Sequence, residues 1–513
     1  MRVNRRGFVR LGAAGLVGGV ASGRRLVALA QGPADGPSFE LVQPELFAIS
    51  GGQPSCWADF DNDGDLDLFV GFKDAVANRL YRNDRGTFVE IAGDAGLADL
   101  TDTRAAAWGD FNADGRLELY VGFTRRSGVA NKLYRYDVNG GNGRFTDVAH
   151  DLGVDVKGET RQASWVDFDN DGRVDLFIAF RDAPNMLLRN EGNRFVDVAK
   201  DMGVDDPRKT VGAVWFDMND DGRLDLFVAN QDGTLNGLFR NEGSRFVDVA
   251  HELGMDADGR PATFGSNGPS VADYDNDGRL DLFVAGYGRN FLYHNDGAGR
   301  FTDVAAAVGV AGGDKATPSG WGDYDNDGRP DLYVSSYVDR PVNEHDFLFH
   351  NDGSKFSDAM IEMIAKHGAT HGVQWVDFDG DGALDLSLAN NNPNGGHYLF
   401  RNTMPATRAR RSIQVMVVDE HGHHTHAGSE VRVYAPGTRK VLGGRLVDTG
   451  GGYCSQSVMP VHIGLPGDGK VDVEVTAMTK NGRRITRVAN VDPNKLPKRV
   501  LVVKVSATSQ SSQ

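Results

Sequence analysis

An acidic segment that recurs seven times, a tryptophan two residues ahead of it in six copies, and about fifty residues between copies predict an all-β protein. The expected architecture is a seven-bladed β-propeller over residues 39–402, followed by a small β-sandwich over 412–505. Composition agrees with it. Sixty-six glycines in 513 residues, without a Gly-X-Y period, call for many tight turns. A chain that is 40% hydrophobic and 25% charged can bury a core. The net charge of −16 disfavours nucleic acid and anionic membrane as partners. Two cysteines, Cys56 and Cys454, support neither a disulfide framework nor a cysteine-rich zinc site, and both read as unpaired and semi-buried.

Residues 1–30 read as an address. Arg5-Arg6 precedes a mildly apolar stretch at 11–20, and Ala28-Leu29-Ala30 offers a small-residue cleavage site before Gln31. The stretch is shorter than the roughly 20 residues of a membrane span. The pattern is that of a twin-arginine export signal, with an ordinary secretory signal as the alternative. Either route places the mature chain in the periplasm or outside the cell, without an integral membrane segment. Cleavage removes six arginines and no acid, which takes the charge from −16 to −22. Residues 31–38 then read as a linker.

The repeat begins at Asp59, Asp110, Asp167, Asp217, Asp273, Asp323 and Asp377, with gaps of 51, 57, 50, 56, 50 and 54 residues. All six tryptophans precede these aspartates, and Val271 takes the remaining place. Each copy reads as four strands. The first ends at the tryptophan, and the acidic loop follows it. The second is the 66–70 type, the third the 78–83 type, and the fourth a Phe-x-Asp-Val-Ala run such as 195–199. An open solenoid is the alternative. Ring closure favours the propeller, because the seventh copy lacks its fourth strand while residues 39–42 supply a spare one.

Oxygen ligands at positions 1, 3, 5 and 9 of each loop, with glycine at position 6, suit a hard cation taking 6–8 oxygens. The expected ligands are Asp59, Asp61, Asp63 and Asp67; Asp110, Asn112, Asp114 and Glu118; Asp167, Asp169, Asp171 and Asp175; Asp217, Asn219, Asp221 and Asp225; Asp273, Asp275, Asp277 and Asp281; Asp323, Asp325, Asp327 and Asp331; and Asp377, Asp379, Asp381 and Asp385. An EF-hand is excluded, because its position-12 glutamate is replaced by apolar residues such as Val70 and Leu388. Up to seven calcium ions are expected, and they would bring the mature charge from −22 to −8. The Asp110 loop, with Asn112 and Glu118, should bind most weakly.

These units resemble the FG-GAP/VCBS repeats of integrin α-chain propellers. The marks at residues 427–433, 450–456 and 461–465 resemble the ASPIC/UnbV domain, as in bacterial relatives of the cartilage acidic protein family. The resemblance implies a calcium-bearing propeller that presents a recognition surface, and no settled reaction.

Residues 403–411 read as a second linker, and 506–513 as a disordered tail. Alternating apolar runs between them read as a small antiparallel sandwich. The run His421-Gly-His423-His424-Thr-His426 is either a zinc or copper site or a polar hairpin tip. Six residues ahead of each loop, the innermost strands should face the channel mouth with Gln53, Arg104, Arg161, Val211, Asn267, Thr317 and His371. All of these except Val211 are the candidate ligand-binding residues, for an anionic or sugar ligand. A water-filled mouth with no ligand is the alternative. No Ser-His-Asp order, nucleotide loop or His-Glu-x-x-His motif appears. The favoured function is a monomeric binding or adhesion module for glycan or protein ligands. The alternative is a propeller enzyme, a lyase, dehydratase or hydrolase, acting on carbohydrate or another polar metabolite.

Overall fold

The computed structural model describes residues 37–139, 142–312, 315–336, 346–367, 370–391, 395–451 and 453–506. The export signal at 1–30, nearly all of the linker at 31–38 and residues 507–513 lie outside them. The protein is all-β, with repeated four-stranded sheets in a propeller-like arrangement. No described helix is long and apolar enough to cross a membrane.

Each sheet is named here by the first aspartate of its acidic loop. The Asp59 sheet orders Gly52–Ala58, Asp67–Phe72, Arg79–Asn83 and Phe88–Glu90 as antiparallel neighbours. The same order recurs from the Asp110 sheet to the Asp323 sheet. The Asp377 sheet draws on both ends of the chain. Phe39–Leu41 lies antiparallel to Tyr398–Asn402, with Phe39 opposite Asn402 and Leu41 opposite Phe400. Seven such sheets are formed by the described residues. Their innermost strands pack side by side, from Gly52–Ala58 round to Gly372–Val376 and back to Gly52–Ala58.

Aromatic pairs glue the sheets together. Position 2 of a loop stacks on the tryptophan of the next sheet: Phe60 on Trp108 at 6.3 Å, Phe111 on Trp165 at 6.2 Å and Tyr324 on Trp375 at 6.1 Å. Phe378 stacks on Trp57 at 6.4 Å and so joins the last sheet to the first. Each pair buries large apolar area and adds about 0.5–1.5 kcal/mol of ring contact.

The Phe-x-Asp-Val-Ala run is only partly strand. Phe195–Asp197 ends where the Asp197 carboxylate accepts the Ala199 N–H at 3.0 Å. Ala199–Met202 is a helical turn, closed by Gly203 at φ 78°. The aspartate offers the backbone a local partner, and glycine accepts the left-handed conformation that ends the turn.

The final hundred residues form two sheets over a Val/Ile core that includes Ile413, Val431, Val473 and Val503. One orders Val441–Leu446, Glu430–Tyr434, Val471–Thr479 and Gly482–Val491. The other places Ser412–Asp419 between Val461–Gly464 and Val500–Val505, and the pairing with Val500–Val505 is parallel. That corrects the purely antiparallel reading. A parallel pair needs a long crossover, and the chain between these two strands includes the whole four-stranded sheet.

The glycine-rich turn of this tail domain leaves it and enters the propeller axis. Ser455–Gln456 adds in parallel to Thr103–Gly109. Trp165 N–H donates to Gln456 Oε1 at 2.6 Å, and Trp57 N–H to Ser457 Oγ at 3.1 Å. Trp215 N–H donates to Thr449 Oγ1 at 3.1 Å, and Gln374 Nε2 to Ser455 Oγ at 3.1 Å. Innermost strands expose an unpaired edge to the axis, and this plug occupies five of them. Asp448 pins its ends together, accepting Gly450 N–H at 2.8 Å, Gly451 N–H at 2.7 Å and Ser457 N–H at 2.8 Å. Cys56 and Cys454 are both free and fully buried.

Candidate functional site

The acidic loops follow innermost strands and share one geometry. In all seven, the position-1 carboxylate accepts the position-5 N–H at 2.9–3.1 Å and the position-6 N–H at 2.8–3.0 Å. The position-9 carboxylate ties the loop to the third strand. Asp67 Oδ1 accepts Asn83 N–H at 2.8 Å, and Asn83 Nδ2 reaches the Phe378 carbonyl of the preceding sheet at 2.9 Å. In the Asp110 sheet Tyr136 holds the asparagine's place, so this stitch is missing there.

Two requirements escaped the sequence reading. Position 4 is left-handed in every loop, with φ of 60° at Asn62, 52° at Ala113, 57° at Asn170, 63° at Asp220, 59° at Asn276, 53° at Asn326 and 71° at Gly380. Where it is asparagine, its amide donates to the glycine carbonyl of the next loop, as Asn276 does to Gly328 at 2.8 Å and Asn326 to Gly382 at 2.9 Å. The asparagine preference at this place was the available signal. Histidine also joins two loops. His294 Nδ1 lies 3.1 Å from Asp281 Oδ1 and 3.6 Å from Asp275 Oδ2, and His350 Nδ1 lies 3.0 Å from Asp331 Oδ1. The other five sheets carry arginine at that place, so the signal was a two-residue departure within the repeat.

The donor sets fit a hard cation. Asp59, Asp61 and Asp67 place one oxygen each within 4.8 Å of one another, as do Asp167, Asp169 and Asp175. Burial, with neighbouring carboxylates adding to it, pushes Asp67 and Glu118 up to about 9 and Asp273 and Asp377 up to about 8. Carboxyls so raised resist ionisation, and a cation among them reverses the penalty. Glu118 Oε1 and Asp325 Oδ1 are buried with no hydrogen-bond partner.

The tail domain covers this face. Lys498 Nζ donates to Asp65 Oδ1 at 2.6 Å, Arg483 Nη1 to Asp217 Oδ2 at 3.3 Å, Arg432 Nε to the Gly278 carbonyl at 2.8 Å, and Gln414 Nε2 to Asp377 Oδ2 at 2.7 Å. In the histidine run, His423 Nδ1 lies 3.0 Å from Asp419 Oδ2.

The opposite end of the axis is open, a blind cavity of about 660 Å³. Gln53, Arg104, Arg161 and His371 line it, with Tyr453 of the plug among them. Asn267 and Thr317 lie elsewhere. Asn267 Nδ2 donates to the Ala316 carbonyl at 2.8 Å, and Thr317 Oγ1 sits 3.3 Å from Ser335 Oγ. Both therefore join strands, and Val211 packs against Tyr453 and Cys454. Charged wall residues that the six-residue rule missed include Lys73, Arg181 and Asp232, which follow the second strands of their sheets, and Lys209, just ahead of Thr210–Phe216. Burial first, then Arg104, Arg161 and Lys73, hold His371 well below the usual histidine range.

Comparison with known proteins adds to this geometry. A model of the FG-GAP-like repeat matches residues 28–121, 167–228, 217–284 and 273–334. Cartilage acidic protein 1 of Xenopus tropicalis is 26% identical over 463 residues, covering 82% of this chain and 69% of that protein. The Mus musculus protein of that name is 27% identical over 494 residues, covering 85% and 72%. A solved Agrocybe aegerita lectin, described by its specific recognition of non-reducing terminal N-acetylglucosamine, aligns with a TM-score of 0.39 and 19% identity over 69% of this chain and 90% of that one.

Proposed function

Because the chain belongs to the FG-GAP-like repeat family, we propose that it is an exported, calcium-loaded propeller that binds glycan or protein ligands. The observation that carries this reading is the blind axial cavity of about 660 Å³, walled by charged and polar side chains. Concave sites of that size take small ligands or the end of a chain. Calcium would be held by the position 1, 3, 5 and 9 carboxylates named above and would neutralise them. A glycan array on the full chain, read beside a lyase and hydrolase screen, tests binding. Failure to retain any glycan or protein ligand would sink it.

Export rests on Arg5-Arg6 and the cleavage pattern before Gln31. Arg5→Lys with Arg6→Lys should leave precursor in the cytoplasm, and normal export of that variant would overturn the twin-arginine route.

One observation favours the second reading, an enzyme on carbohydrate or another polar metabolite. His371 stands beside Arg104, Arg161 and Tyr453 in the cavity, with its ring 5.9 Å from that of Tyr453, where an imidazole could meet a bound polar group. Turnover in the screen, abolished by His371→Ala, would decide for it.

A further inference from the structure

We propose that the floor of the axial cavity is an anion site in which Arg104 and Arg161 receive the carboxylate or sulfate of an acidic sugar at a chain end. This rests on reading the cavity as a ligand site and names the chemistry of what enters it.

The first support is unbalanced charge. Farther out on the wall, Arg181 Nη2 lies 3.1 Å and Lys209 Nζ 2.8 Å from Asp232 Oδ2, and Lys73 lies 3.5 Å from Asp74. Deeper down the pairing fails. Arg104 spends its terminal nitrogens on two neutral oxygens, the Gln53 amide and, at 3.4 Å, the Tyr453 hydroxyl. Arg161 is 7% exposed and meets one carboxylate, Glu159, at 3.3 Å. Glu159 already accepts the Arg125 N–H at 3.1 Å through its other oxygen. Two guanidiniums thus share one engaged carboxylate, in a place where unpaired charge is costly.

The second support is unmade hydrogen bonds. Arg104 Nε and Arg161 Nε are both buried with no partner. Buried donors of this kind are rarely left unsatisfied. An oxyanion that presents two oxygens on one edge, as carboxylate and sulfate both do, accepts from a guanidinium fork in a pair. Burial and the nearness of Arg104 lower Arg161, which is the direction an incoming anion would reverse.

The third support is how Tyr453 is delivered. Tyr453 and Cys454 are consecutive non-glycine residues at φ 69° and 60°. Such backbone costs on the order of 1–3 kcal/mol per residue and persists where surroundings over-determine it. Here the Cys454 carbonyl is fixed by Ala106 N–H at 3.0 Å, which sets Tyr453 beneath Arg104 and 5.9 Å from the His371 ring. The protein's charge of −16 repels a long polyanion, so the cavity suits one acidic residue entering end-on.

Isothermal titration calorimetry of the full chain in calcium buffer tests this with digalacturonate, galactose 6-sulfate and neutral galactobiose. The expected result is binding of one or both anionic sugars and not of galactobiose. Arg161→Gln should weaken it roughly 30-fold, and Arg161→Lys less. The wild-type affinity should also fall as salt rises, which keeps the test valid where Arg161→Gln melts early. Binding of the sulfate alone would assign the anion to a sulfate ester, and of digalacturonate alone to a uronate; either supports the site. Galactobiose binding as tightly as digalacturonate, with Arg161→Gln at wild-type affinity, would overturn the anion site and leave a glycan cavity standing. No heat with any of the three overturns it too, while the glycan array still decides the broader reading.

Discussion

The two ends of the propeller axis are built from the same strands and differ in almost everything else. At the acidic end, seven loops repeat one hydrogen-bond pattern, the tail domain covers them, and its plug fills the axis. At the open end, no repeat unit dictates the wall, cations and acids alternate, and a cavity of about 660 Å³ remains. Stability resides where the repeat is regular and capped. Recognition has room where the copies have diverged.

The comparison breaks most readily at the plug. Replacing residues 448–458 with a Gly-Ser linker removes hydrogen bonds to five innermost strands. At about 1 kcal/mol each, plus exposed edges, the loss should reach about 5 kcal/mol. Calorimetry and size exclusion should show early melting or aggregation, and an unchanged melting temperature would mean that the axis supports itself. Chelation comes next if the loops hold calcium. Extracellular modules with dissociation constants of about 10⁻⁴–10⁻³ M gain roughly 0.4–1.4 kcal/mol per site at about 1 mM calcium. The sum over the loops would be roughly 3–10 kcal/mol, and a chelated protein that melts at the loaded temperature would show that the loops work as solvated turns.

Smaller changes sharpen the contrast. Asp277→Asn should cost about 1 kcal/mol, read as a partial fall in melting temperature. Asp114→Asn should cost less, because its loop lacks the third-strand stitch and carries Asn112 and Glu118; the reverse order would overturn the ranking of the loops. At the open end, Arg126 also lines the cavity, and Arg126→Gln should leave stability within about 0.5 kcal/mol. A large loss there would mean that the cavity wall, too, is structural.

Much of the acidic end was legible because seven copies vote on each position. Tryptophan, aspartate and glycine at fixed spacing announce strand, acidic loop and turn, and the unpaired run at 39–42 announces its partner by elimination. The left-handed position 4 was legible in principle, since asparagine fills four of its seven places. The plug was not. Residues 450–456 occur once, so they have no period, and their partners are strand edges that any backbone can pair with. His294 and His350 were hidden among five arginines at the same register. Asn267 and Thr317 were placed at the mouth by a rule of spacing. A register shift falls at this place in six innermost strands, those of Gln53, Arg104 and Arg161 included, so spacing alone does not separate the residues that reach the cavity from those whose side chains bond the neighbouring strands.

The plug also orders events during synthesis. Tyr453 lies 349 residues beyond Arg104, and Phe39 waits for Asn402 before the last sheet can form. Contacts this distant in sequence pay the chain entropy of a long loop before they return any stabilisation, so they form late and slowly. Arg104 and Arg161 are translated first and Tyr453 last. A ribosome that stalls before residue 450 therefore releases a ring with both guanidiniums and no tyrosine beneath them.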